Sequence, residues 1–142
     1  LSRLLAAVSA PERPEPVLSS EEHALFVKGV REFNQGYYFE CHDSLEDLWS
    51  GLRGPARDFF QGLIQVSVAF YHLSNDNLAG ARSMFERART RFEPYGDRYF
   101  GFDVAAQRRE IAGRLEAIAR GEPSARGAAA KPQWRFAGTL EK

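Results

Sequence analysis

PARDFFQGLIQVSVAFYHL, residues 55–73, decides the fold. At about 100° per residue, Phe59, Phe60, Leu63, Ile64, Val66, Phe70 and Tyr71 spread over three sides of a helix. A helix apolar around most of its girth must be covered by others, so this is the central element. Its larger polar groups, Asp58, Gln61, Gln65 and His72, fall on one stripe. That stripe is either the one strip facing water or a polar seam turned into the core.

Breaks on both sides of this helix set out its neighbours. GLRGP, residues 51–55, ends the preceding segment, and Pro55 suits a first helical turn. SNDN, residues 74–77, closes the central helix, and a further helix follows from Asn77 to Glu93, stopped by Pro94. Upstream, Ser19 and Glu22 stand at capping-box spacing, opening a helix over Ser20–Asn34 that NQG ends at Gly36. A second helix runs from Tyr37 to Ser50. Asp103 caps a fifth helix ending near Arg120. No stretch of useful length alternates with period two. The expected fold is all-α, a bundle of about five mostly antiparallel helices. Residues 1–18 are read as a leader (LSRLLAAVSA) and a proline-rich linker (PERPEP) that detaches it, 19–121 as the domain, and 122–142 as an extended tail. Trp134 and Phe136 of the tail are expected to tuck back against the body.

Bulk properties narrow the classes of function. The 142 residues suffice for one self-sufficient core, and 44% hydrophobic with 27% charged residues excludes a disordered chain. Residues 1–50 carry 4 basic and 9 acidic groups and residues 51–142 carry 15 and 10, so an acidic front (4 − 9 = −5) meets a basic back (15 − 10 = +5). The neutral total gives no support to nucleic-acid binding, and no run reaches membrane-span length. The single cysteine, Cys41, forms no internal disulfide, so the reducing cytoplasm is the expected location. Cys41 reads as a small core residue rather than a nucleophile. His23, in the first turn of its helix, reads as exposed. The basic run RSMFERARTRF is a solvated helix face with interleaved glutamates.

Chemistry, if the chain performs any, concentrates in YYFECHDSLEDLW, residues 37–49. On a helical wheel Tyr38, Cys41, Leu45, Leu48 and Trp49 form the apolar arc, with His42 inside it. Glu46 lies further round, yet Phe39 lies beyond it. Glu40, Asp43, Ser44 and Asp47 take the solvent face. A carboxylate among apolar neighbours must be hydrogen-bonded, paired or bound to a cation. The expectation is that His42, Glu46 and His72 meet in one buried polar cluster, with Gln61 and Gln65 beside them and Trp49 and Asn34 in support. His and Glu at i and i+4 can share a cation, and His72 would complete the set. Imidazole with carboxylate and water suits zinc, manganese or iron. A metal-free His–Glu–Gln network would satisfy the same groups.

FNQGYYFECHDSLEDLW and FFQGLIQVSVAFYHLSNDNLAGA together resemble the family named domain of unknown function 309, small helical bacterial and archaeal proteins with a His-x-x-x-Glu-x-x-Trp/Tyr motif. His42, Glu46 and Trp49 match all three motif positions. The resemblance covers roughly residues 20–95 and implies a helical fold and a metal site at the motif. It implies no particular reaction. A function of another class also fits, because FNQG and NDNLAGA, each an Asn followed by Gly or Ala and an amphipathic helix, resemble the joins of tetratricopeptide units. The chain would then be a helical interaction module with a purely structural cluster, binding a protein or peptide through Tyr37, Tyr38 and Tyr71. The apolar girth of the central helix further points to self-association, as a homodimer.

Overall fold

A computed structural model describes residues 13–122 and 132–136. Five helices dominate them: α1 (Ser20–Gln35), α2 (Tyr38–Ser50), α3 (Ala56–Ser74), α4 (Leu78–Phe92) and α5 (Val104–Arg120). The fold is all-α, as expected, and the predicted helix limits hold to within a residue or two. The expected leader helix lies outside the described residues.

The ends are set by local chemistry. Ser19 and Glu22 form the reciprocal capping box, each side chain bonded to the other's backbone N–H. Gly36 ends α1 at φ 89°, left-handed backbone that suits glycine, with its N–H on the Glu32 and Phe33 carbonyls. Asn77 caps α4 through the Gly80 N–H, and Asp103 caps α5 through that of Ala106.

Packing proceeds between neighbours in sequence. Leu45 of α2 fits against Gly29 of α1, and Phe39 of α2 meets Tyr71 of α3. Phe92 lies over Gly62, and Phe85 meets Phe70, so α4 runs antiparallel to α3. Phe26 pairs with Phe60 and Phe33 with Phe70, so α1 and α3 run parallel. Helix α3 is therefore covered by α1, α2 and α4, and twelve of its residues are buried. That is the central position its sequence requires.

A small element escaped the sequence reading. Arg98–Tyr99 (β1) and Phe102–Asp103 (β2) pair antiparallel, joined by Phe100 and Gly101 at φ 53° and 73°. Two positive φ values define the tight turn whose twist matches a hairpin, and Gly101 supplies one of them without strain. Strands of two residues give no periodicity to read. The proline-rich segment is docked where it is described, and the leader it was expected to detach lies outside the described residues. The Tyr99 hydroxyl donates to the Pro14 carbonyl at 2.6 Å, and the Phe100 N–H donates to the Glu15 carboxylate at 2.8 Å. The tail returns to the body, as expected, through Trp134 and Phe136.

Burial, reinforced by neighbouring Tyr95, pushes the Tyr99 phenol from 10.0 up to about 12. A raised folded value means that the native state holds the proton more tightly. The associated stability is complete below about pH 10 and is lost as pH rises towards 12. Urea melts across that window are expected to show the decline, and Tyr99→Phe to flatten it.

Candidate functional site

Helix α2 presents His42 and Glu46 one turn apart on the same side, with His42 Nε2 at 3.3 Å from Glu46 Oε2. The Nδ1 of the same ring lies 3.4 Å from Asp43 Oδ1. Donor atoms of His42, Asp43 and Glu46 all fall within 4.8 Å of one another. His42 is half-buried and its Nδ1 is shut off from solvent without a hydrogen bond, so Nε2 is the nitrogen open to a ligand. Both carboxylates are exposed, the Glu46 side chain by 53%.

The expected buried cluster is thus corrected in position and in membership. Its wheel placed Glu46 in the interior because Phe39 lay beyond it. Phe39 is itself 49% exposed, packing its ring on His42 and Tyr71 at the surface. The buried face of α2 is rotated the other way, through Cys41, Ser44, Leu45 and Leu48. Ser44, expected in solvent, is buried; it accepts from Lys28 Nζ and donates to Glu32 Oε1, tying α2 to α1. Cys41 is fully buried, and desolvation raises its thiol far above the ordinary value, which fits the core role read from the sequence.

His72 reaches the neighbourhood but is not in the donor group. With Phe39, His42, Val68 and Tyr71 it lines a small hollow of about 140 Å³. Its Nδ1 lies 3.2 Å from Asn77 Nδ2, and Asn77 Oδ1 is fixed as the acceptor of the Gly80 N–H. The amide nitrogen must therefore donate, which makes Nδ1 the acceptor and leaves the proton on Nε2. A metal on Nε2 would require that proton to move to Nδ1, against a donor. The α4 cap holds His72 in a form suited to giving a hydrogen bond.

The remaining expected members divide among other places. Gln65 is buried on the α4 side, where it lines a cavity of about 500 Å³ with Asp58, Arg87, Thr90 and Arg91. Gln61, half-buried on α3, is not among the residues lining the His42 hollow. Trp49 serves the α2–α3 turn: the Arg57 guanidinium lies 3.9 Å from its ring centroid and donates to the Leu52 carbonyl at 2.9 Å. Asn34 holds the tail, through bonds to both main-chain groups of Trp134. His23 is exposed, as read. The reading from sequence missed Asp43, Phe39 and Val68. Asp43 adjoins His42 in the chain, and this adjacency was its only signal.

A helical protein carrying a His/Asp/Glu group at the surface of α2 defines the class, and comparison shows what it is similar to. Residues 26–84 match the model of the family Domain of unknown function (DUF309), within the span of the resemblance carried by the two segments. Among curated proteins, the chain is similar to "Uncharacterized protein YpuF" of Bacillus subtilis (strain 168), 42% identical over 48 residues. That stretch is 33% of this chain and 28% of the relative, so the likeness spans under a third of the relative's length. No helix among the described residues is long and apolar enough to cross a membrane.

Proposed function

We propose that the chain binds a divalent cation at the outer end of the α2–α3 hollow, with His42 Nε2 and Glu46 as its ligands. The observation that carries this reading is the approach of three donor groups within 4.8 Å at the mouth of an aromatic hollow. Donors 3.3 Å apart suit a cation about 2 Å from each. Asp43 Oδ1, 3.4 Å from Nδ1, would need only a small approach to accept the Nδ1–H, the carboxylate–histidine arrangement that fixes tautomer and ring orientation at metal sites. Imidazole and carboxylate suit zinc, manganese or iron, and water fills the other positions. A bound cation would supply Lewis acidity beside the hollow. The protein's own part is to hold the ring, present the carboxylate and line the hollow with Phe39 and Tyr71.

Titration calorimetry of untagged protein with Zn²⁺ and with Mn²⁺ tests the reading. Glu46→Gln is expected to weaken binding by about tenfold or more, while His72→Ala stays within about twofold. Cation at a hundred times its Kd should raise stability by about 2.7 kcal/mol. Equal affinity in wild type and Glu46→Gln would remove the proposal.

A second reading has its own observation. Parallel α1 and α3, with α2 between them in sequence, are arranged as alternate helices are in stacked helix pairs. Phe39 and Tyr71 are exposed at one edge of this layer. Self-association through these rings would make the chain an interaction module. A sedimentation shift on Phe39→Ser, unaffected by Glu46→Gln, would favour it.

A further inference from the structure

Residues 132–136 lie on the body in the manner of a bound peptide. Trp134 stacks on Phe33 with centroids 3.8 Å apart and planes 6° from parallel. Arg135 points out and is exposed. Phe136 returns inward, its ring 5.1 Å from Phe26 and 4.9 Å from Phe102. This in–out–in alternation is that of a strand, and Phe136 forms a β-bridge with Phe102. Main-chain groups are read as well. Asn34 Oδ1 accepts from the Trp134 N–H at 2.7 Å, and Asn34 Nδ2 donates to the Trp134 carbonyl at 3.2 Å. One side-chain amide thus replaces a neighbouring strand, with a further bond from Gln133 Nε2 to the Asn34 carbonyl. Main-chain bonds together with seats for alternate side chains are how sheet-edge sites take extended peptides. The segment does not fill its groove. A cavity of about 350 Å³ remains between it and α5, bordered by Gln107, Glu110 and Arg114.

We propose that the groove formed by Phe26, Phe33, Asn34 and Phe102 is a recognition site for extended peptides of the pattern Trp-x-Phe, occupied in this chain by its own residues 134–136. Phe33 and Asn34 seat the tryptophan, and Phe26 and Phe102 seat the phenylalanine. The middle residue is left to solvent and is free to vary. A peptide of the same pattern from another chain competes for the groove against a tethered copy, and tethering strongly favours the resident segment.

Fluorescence anisotropy of a labelled peptide, KPQWRFAG (the sequence of residues 131–138), tests this on the full chain. Trp134→Ala is expected to bind the peptide at least about tenfold more tightly than wild type does, because the resident competitor is disabled. The same peptide with alanine for tryptophan should bind neither. If Trp134→Ala loses its helical circular dichroism, added peptide is expected to restore it. Absence of peptide binding by folded Trp134→Ala, equal binding by wild type, or failure of the peptide to restore an unfolded variant would each overturn the proposal.

Discussion

Replacing Phe59 with alanine is expected to lower stability by about 3–5 kcal/mol, read as a shift of the urea midpoint at unchanged slope. Phe59 is fully buried, and its ring meets those of Phe60, Phe92, Tyr95, Tyr99, Phe100 and Phe102 at centroid distances from 4.9 to 6.2 Å. Those partners come from α3, the end of α4, the short helical turn Glu93–Tyr95 that follows it and the hairpin. A cavity at this point would touch every element around the start of α3, and few of them could collapse into it. Because domains of this kind are stable by about 5–15 kcal/mol, the change would consume a large share. Phe59→Leu, which keeps much of the volume, should cost less. A loss below about 1 kcal/mol for the alanine variant would mean that the ring cluster is not the centre of the core.

The second large effect is expected at Gly62, where α3 and α4 approach most tightly. A Cβ placed there would lie 2.9 Å from Cε1 and Cζ of Phe92 and 3.4 Å from Cβ of Arg91. Phe92 is fully buried and packs on Phe59, so its ring has little room to retreat. Overpacking of this kind costs about 1–3 kcal/mol. Alanine regains about 1 kcal/mol of helix propensity over glycine, which leaves Gly62→Ala destabilised by up to about 2 kcal/mol. Valine brings two further methyl groups and should cost more. Phe92→Leu should cost less in the Gly62→Ala background than alone, since the first change relieves the second. A double-mutant cycle measures that coupling, and additive losses would contradict the close approach.

The elements were legible because their ends are written locally: a Ser–Glu capping box, a glycine past α1, an aspartate before α5. The central place of α3 was legible from its apolar circumference alone. Rotation of α2 about its axis was not. Phe39 was weighed as core because it is apolar, yet aromatic rings bury well against each other at a surface, and Ser44 went inside because Lys28 and Glu32 satisfy it. One misjudged ring turned Glu46 inward. The expected cluster divided for a related reason. His42 and Glu46 meet because one helix fixes both, whereas Trp49, further along the same helix, packs under Arg57 from the next helix, and His72 is held by a cap on α4. Spacing within a helix carries such information, and partners supplied by other helices do not appear in it. The hairpin of two-residue strands and the grip of Asn34 on Trp134 depend on contacts of the same distant kind.

The tail contact also fixes an order of events in time. Consecutive helices pair across short connections, so α1 to α4 assemble by closing small loops. Asn34 and Trp134 are separated by 100 positions, and Trp134 cannot stack on Phe33 until the chain between them has been gathered in. The two tryptophans therefore clock different stages. Trp49, beside the α2–α3 turn, changes its surroundings when the first helices meet, and Trp134 changes when its segment docks on α1. Growth of the chain during synthesis imposes the same sequence, since the helices leave the ribosome before the strap that fastens them. Until Trp134 emerges, the aromatic seat on α1 stands open to whatever else is at hand.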